Sequence, residues 1–509
     1  MGIELYQKLE RGEEPRRTLA ALKEALRGES GKKEREEILA HCCGDFSALA
    51  VCFSSEDAKA RKNAALVAGE LAVGELLPLL WEAYNAEETR FVKSAYLEAI
   101  KHYDYTGLLP GLKQALARVN AQEVTKESRK HLQEERMLLR ELVAAKESVK
   151  WHRYKGEGIV SDLVLTTNRN HRHVLFGELG AVRKKEFGAG VIVQVKEPEK
   201  LLALRTFEEM FFVLPGAKVL PPKPEEAAEM LLQAGIVKYL QIRHEQNGTP
   251  LRFRIEMRGK LPLEKRGLFV RRMAAVLEEG SSGMLANVTE GYEFELRLIE
   301  AKEGGYRVLI KLFTLYDRRF SYRQKTISTG MRPANAALCM ALADLFGGTD
   351  GTSFFNRNAR VLDPFCGAGT MLIERAKRAP VKEMFGVDIL SEAVDCARIN
   401  TQLADVKANY IHRDFFTFTK EEPFTEIVTD MPFTVTGEEE KERGIEELYR
   451  RFFLCAPKFL CEDGRMLILT HDRALVRRYA PRNFTCIKEF ELSMKEGSYL
   501  FLFRKGTGY

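Results

Sequence analysis

Apolar residues recur at three- and four-residue spacing in RTLAALKEAL, RKNAALVAGELA and FVKSAYLEAI, so residues 1–150 are expected to be helical throughout. From about Ser161 the period shortens toward two in VIVQVK, LRFRIEM, YEFELRLIEA and YRVLIKLFTLY, with helical stretches such as FVRRMAAVLEEG between them. That is an α+β pattern, and the turn-rich LPGAKVLPPKPEE around Pro215 to Pro224 predicts a division into two smaller lobes. Beyond about Gly330, strand and helix alternate as in a doubly wound α/β domain. The expected strands are VLDPF, MFGVDI, NYIHRD, EIVTDMPF and MLILT. FTCIKEFELSM and SYLFLFRK then follow without a helix between them, which predicts an antiparallel hairpin closing the sheet. The chain is thus expected to be multidomain: a helical domain at 1–150, an α+β region at 151–325 and a Rossmann-like α/β domain at 326–509.

The helical part repeats itself. ARKNAALVAGELAVGELLPLLWEAY is echoed by FVKSAYLEAIKHYDYTGLLPGLKQAL, with Lys62 answered by Lys93, Ala64 by Ala95 and Pro78 by Pro110. An offset of 31 to 32 residues is the length of a helical hairpin that buries its apolar face by stacking on a neighbour. The segment resembles HEAT-type repeats, which implies a surface for a protein or RNA partner; a helical cap on the rest of the chain is the alternative.

Composition changes the picture mainly through charge. The 509 residues are 45% hydrophobic and 30% charged, with a net charge of +6, which is globular and excludes disorder. Residues 1–150 and 331–509 each balance at −1, while 151–330 carry +8. A basic module between two neutral ones suits a polyanion, although a solvated surface reads the same on charge alone. Basic residues cluster at Arg172, Arg183, Lys184 and Lys185, at Arg252, Arg254, Arg258 and Lys260, and at Arg318, Arg319 and Arg323 beside Phe320 and Tyr322. Arginine interleaved with aromatics suits unpaired bases, so Arg318, Arg319, Tyr322 and Arg323 are candidate RNA contacts. No run approaches the roughly 18 apolar residues of a membrane span, and a cytosolic protein without membrane contact is expected. Nine cysteines, never spaced CxxC, are expected to be reduced packing residues, and no metal site is expected.

The candidate chemistry lies in the last third. Between its first strand and helix stands DPFCGAGT, Asp363 to Thr370, where glycine lets a ligand approach the backbone. Twenty-one residues after Gly367, Asp388 closes the next strand, placed to accept hydrogen bonds from both hydroxyls of a ribose. A dinucleotide fingerprint needs a third glycine where Leu372 stands, and no GK[ST] is present for a triphosphate. Asp363 would repel phosphates but suits an amino group and a sulfonium, which points to S-adenosyl-L-methionine. The candidate cofactor residues are Asp363, Cys366, Gly367, Gly369, Thr370, Asp388, Ile389, Asp414 and Phe415.

At the end of the fourth strand stands DMPF, Asp430 to Phe433, similar to the D/N-P-P-Y/F motif of class I methyltransferases acting on exocyclic amino groups. An aryl amine's lone pair is delocalised, so its nitrogen attacks only when acceptors draw on its N–H groups. Asp430 and the Met431 carbonyl are the candidate acceptors, Pro432 shapes the turn, and Phe433 is placed to stack on a base taken out of its helix. No cysteine lies between Ile427 and Gly437, which argues against carbon methylation through a thiolate adduct. His412 and His471 are read as surface or satisfied histidines.

DPFCGAGTMLIERA, DMPF and the approach FSYRQKTISTGMRPANAALCMALADL together resemble THUMP-domain RNA methyltransferases. The resemblance implies an α+β THUMP-like module at 151–325 that grips the acceptor end of tRNA, ahead of a class I methyltransferase domain at 326–509. It further implies S-adenosyl-L-methionine as cofactor and the 2-amino group of guanine, in tRNA, as target. Ribosomal RNA guanine, a nucleic-acid adenine amino group, or an RNA-binding assembly protein with a degenerate domain are the alternatives. Two departures stand out: Thr434 and the acidic run EEEKE at 438–442 where the family has glycine and basic residues, and the added helices at 1–150.

Overall fold

A computed structural model describes residues 2–28, 31–120, 122, 129–146, 150–217, 219–327, 330–348, 353–433 and 439–506. The chain divides into two compact units, Met1–Lys150 and Trp151–Tyr509.

The first unit is helical among the described residues. Helices Ala58–Leu71 and Leu76–Ala86, then Arg90–Ile100 and Leu109–Asn120, are the two halves of the sequence echo, and Ala58–Leu71 packs along Arg90–Ile100. Asp57 caps the first helix by accepting the Lys59 N–H at 2.8 Å. The two halves approach closely where a glycine faces its neighbour. A Cβ on Gly69 would lie 2.9 Å from the Ala99 backbone, and one on Gly111 2.7 Å from the Trp81 ring. Ala64, Ala68, Val92, Ala95 and Tyr96 fill the seam, and Arg61 forks onto the buried Glu87 at 2.8 and 2.9 Å.

The second unit holds two sheets. In the first, β1 (Ser161–Thr166), β2 (Arg183–Phe187), β3 (Gly190–Val195), β4 (Met210–Phe212), β5 (Leu251–Arg258), β6 (Leu285–Asn287), β7 (Phe294–Glu300) and β8 (Tyr306–Leu312) lie in the order β2-β3-β1-β4-β8-β7-β5-β6. Strand β5 shows why: Leu251, Phe253, Ile255 and Met257 are buried, while the intervening Arg252, Arg254 and Glu256 are half-buried. The division expected at Pro215 to Pro224 falls between the two halves of this sheet: β1–β4 lie on one side and β5–β8 on the other, and the halves join where β4 pairs with β8, Phe212 beside Ile310.

The second sheet comprises β9 (Ala359–Asp363), β10 (Val381–Asp388), β11 (Asn409–His412), β12 (Phe424–Asp430), β13 (Leu460–Thr470), β14 (Phe484–Ser493) and β15 (Ser498–Lys505), ordered β11-β10-β9-β12-β13-β15-β14. All pairings are parallel except those of β15, antiparallel to β13 and β14, as the missing helix predicts. Helices Thr370–Arg378 and Ser391–Leu403 connect β9 to β10 and β10 to β11. The order reverses direction between β9 and β12, where a crevice opens beyond the carboxyl ends of the strands.

The two sheets are joined by buried polar contacts. Arg205 forks onto Glu374 at 2.7 Å for each bond, and the Tyr322 hydroxyl donates to the same carboxylate at 2.7 Å. Asn168 donates to the Leu492 carbonyl at 2.9 Å, and His171 Nε2 to that of Glu491 at 2.9 Å. Tyr322 and Arg319, expected to contact RNA, belong to this framework. Arg319 has 2% of its side chain exposed, pairs with Asp317 at 2.7 Å and donates to the Leu204 and Phe207 carbonyls at 3.0 Å. Both are corrected from contact residues to structural ones, because burial and internal partners leave them no free donor for a phosphate. Arg318 is exposed, and Arg323 donates to the Gly330 carbonyl at 2.8 Å.

Candidate active site

A cavity of about 500 Å³ opens over the ends of β9, β10 and β12. Its floor is the glycine turn. Gly369 has φ +81°, and a Cβ there would lie 2.6 Å from the Tyr410 hydroxyl, so only glycine fits. Cys366, Gly367 and Thr370 line the cavity, and Gly369 lets the turn between them close against Tyr410. The Gly367 N–H donates to Asp388 Oδ2 at 2.8 Å and the Leu390 N–H to Asp388 Oδ1 at 2.9 Å. Two backbone donors thus orient the carboxylate at the mouth of β10, and Ile389, 64% exposed, forms the rim. Asp414 accepts the Phe416 N–H at 2.9 Å, capping the turn that puts Phe415 under the cavity against Phe452 and Phe459. Burial pushes the Cys366 thiol far above its usual range, which keeps it neutral.

Two carboxylates dominate the polar wall. Asp363 Oδ1 accepts the Thr429 hydroxyl at 2.7 Å and the Phe365 N–H at 3.2 Å. Its Oδ2 is buried with no hydrogen-bond partner among the described residues, as is Asp430 Oδ1. Burial raises the Asp363 carboxyl to about 8 and the Asp430 carboxyl to about 7. Unsatisfied buried acceptors of this kind cost stability and are expected where a ligand supplies the donors.

The DMPF motif is fixed by the sheet. Met431, buried in the core, donates its N–H to the Leu469 carbonyl at 2.9 Å, carrying the β12–β13 pairing past the strand end. Pro432 and Phe433 then turn over the cavity. Thr434 and residues 435–438 lie outside the described residues, as do the side chains of 439–442.

Sequence reasoning missed several site residues. Ile327, Gly330 and Met331 form one wall, held by Arg323 and by Asn400, whose amide donates to the Lys325 carbonyl at 2.8 Å and that of Ala368 at 3.1 Å. Helix Glu439–Phe459 adds Glu447, Leu448 and Arg451, the last lying 3.8 Å over the Phe416 ring. His471 stacks on Phe433. Ile327, Gly330 and Met331 lie in the stretch FSYRQKTISTGMRPANAALCMALADL, which signalled the family and not a site, and the others reach the cavity through tertiary packing.

Residues 322–497 match the profile of the family described as RMKL-like, methyltransferase domain. A curated relative, tRNA (guanine(10)-N2)-dimethyltransferase of Methanothermobacter thermautotrophicus, is 34% identical over 108 residues, 21% of this chain and 31% of that protein. The chain thus matches about a third of that relative's length. Among solved structures, TrmN from Thermus thermophilus is 20% identical with a TM-score of 0.48, covering 68% of this chain and 99% of that one. A possible methylase from Clostridium difficile 630 is 16% identical with a TM-score of 0.48, covering 69% and 99%.

A second cavity of about 500 Å³ lies on the first sheet, lined in part by Trp151, Arg254, Tyr292, Phe313 and Tyr316. Arg252 stands 4.6 Å over the Trp151 ring and Arg254 4.2 Å over that of Tyr292, with Trp151 47% and Tyr316 55% exposed.

Proposed function

We propose that the protein methylates the exocyclic 2-amino group of guanine in structured RNA, with tRNA as substrate and S-adenosyl-L-methionine as methyl donor. The observation that carries this reading is the pair of buried, unpartnered acceptors, Asp363 Oδ2 and Asp430 Oδ1, facing one cavity with an aromatic ring at its edge.

The cavity fits the cofactor. Asp363 would offer its free oxygen to an ammonium or sulfonium, the glycine turn would let the ligand approach the protein backbone, and Asp388, held by the Gly367 N–H, would accept the ribose hydroxyls. Bound there, S-adenosyl-L-methionine supplies a methyl group on a positively charged sulfur. Asp430 accepts an N–H of the incoming amino group and draws its lone pair out of the ring system, an effect that grows as the new bond forms. The carboxylate serves this best when ionised, so transfer is expected to rise as pH passes about 7. Phe433 takes the face of the base and fixes its distance from Asp430.

RNA as substrate is supported by the name of the archaeal relative and by the +8 balance of residues 151–330. The exposed aromatic and arginine faces around Trp151 and Tyr316 add to it. We read the helical repeats as a HEAT-like surface for a protein or RNA partner and the protein as cytosolic. Nucleoside mass spectrometry on RNA from cells with and without the gene tests the reading. Loss of 2-methylguanosine from tRNA is expected, and an unchanged content with loss from ribosomal RNA, or of a methylated adenosine, would replace it.

A further inference from the structure

Strands β12 and β13 run parallel with Asp430 beside Leu469, and the Met431 N–H extends the pairing past the strand end. Two residues further along each chain, Phe433 and His471 come face to face. Their ring centroids are 4.0 Å apart and their planes are inclined by 32°. The imidazole thus occupies one face of the phenyl ring and leaves the other, and Phe433, unlike His471, is among the residues that line the cavity. A base inserted between the two rings would need about twice that separation.

His471 is itself anchored. Its Nδ1 donates to the Glu496 carbonyl at 2.9 Å, in the turn between β14 and β15. On one side the Thr470 hydroxyl shares a 2.7 Å hydrogen bond with that of Tyr449 and accepts the Asp472 N–H at 2.8 Å. On the other, Asp472 caps helix Arg473–Tyr479 by accepting the Leu475 N–H at 3.0 Å. A ring that must receive a base on one face loses its own torsional freedom when it does so, unless its other face is already held.

We propose that His471 is a positioning residue for the acceptor base: its imidazole backs Phe433 and holds the cavity face of that ring for a purine, giving a stack of imidazole, phenyl and base. This rests on the methyltransferase reading above. The test uses three variants of the full chain, assayed for methyl transfer to tRNA and for S-adenosylhomocysteine binding by calorimetry. His471→Ala is expected to lower kcat/KM for tRNA about tenfold, the worth of one aromatic contact. His471→Phe, which keeps a ring, is expected to recover to within about threefold of the unaltered protein. His471→Gln, whose amide can donate to the Glu496 carbonyl but cannot stack, is expected to stay near the alanine level, with ligand affinity unchanged in all three. An alanine variant within about twofold of the unaltered protein would overturn the proposal, as would a phenylalanine variant no better than the glutamine one. If alanine fails to fold, the phenylalanine and glutamine variants decide. An unaltered protein that methylates no RNA would instead overturn the functional reading, and this proposal with it.

Discussion

Strand β12 carries two carboxylates four residues apart, Glu426 buried and Asp430 half-buried with its Oδ1 shielded from solvent, and their surroundings are opposite. Glu426, 1% exposed, is gripped by Arg375 through two bonds of 2.7 and 3.0 Å and also accepts the Asn356 N–H at 2.9 Å. Asp430, at the end of the strand, has an oxygen with no partner among the described residues. The first sheet follows the pattern of Glu426: Glu295 is held by Arg254 and Arg297, and Glu293 by His152, with the Glu293 carboxyl kept below its usual range despite burial. Satisfied buried charge is architecture, and it holds the sheets in register and against each other. At the ends of β9 and β12 two carboxyl oxygens, Asp363 Oδ2 and Asp430 Oδ1, are left without a partner among the described residues beside one cavity, and there they mark the candidate site.

The contrast can be broken most directly at Asp430. Asp430→Asn should leave the fold and cofactor affinity in place yet lower methyl transfer by about a thousandfold, read in single-turnover assays, since the missing charge acts on the amino group mainly as the bond forms. Glu426→Ala should do the reverse. It leaves the buried Arg375 uncompensated and costs about 3 kcal/mol in denaturant unfolding, with transfer by the folded fraction little changed. Asp388→Ala should weaken S-adenosylmethionine about ten- to a hundredfold by calorimetry, because two ribose hydroxyls lose their acceptor. A smaller effect concerns protons. Asp363 and Asp430, raised to about 8 and about 7, bind protons more tightly folded than unfolded. Their contribution to stability is therefore full below about pH 4 and is lost as pH rises through 7 to 8. The free protein should melt at a lower temperature at pH 8 than at pH 6, less so in Asp363→Asn. Cofactor binding near pH 7 should release up to about one proton, seen as a dependence of calorimetric heat on buffer ionisation enthalpy.

Much of this was legible in the sequence because it is local. The glycine turn, Asp388 and DMPF each sit at a strand end that hydrophobic runs locate, and the fold brings them to one cavity. The hairpin of β14 and β15 follows from a missing helix. What escaped was set by long-range pairing. The proline-rich break does separate the strands of the first sheet into two halves, but that β4 reaches β8 across about a hundred residues to join them has no local signal. Arg319 and Tyr322 have the composition of an RNA surface but the partners of an interior, Asp317 and Glu374, which only tertiary contacts reveal. His471 reads as a surface or satisfied histidine, and its Nδ1 is indeed satisfied by the Glu496 carbonyl, but that its ring meets Phe433 depends on the β12–β13 register and carries no motif.

The account's central claim is that the cavity between β9 and β12 methylates the 2-amino group of guanine in RNA. Its most direct test is a tRNA transcript in which the methylated guanosine is replaced by inosine, which pairs and stacks similarly but has no 2-amino group. Incubated with the protein and labelled S-adenosylmethionine, the guanosine transcript is predicted to yield 2-methylguanosine and the inosine transcript no labelled nucleoside. Label that survives the replacement, or that appears in adenosine or cytidine, would contradict the claim.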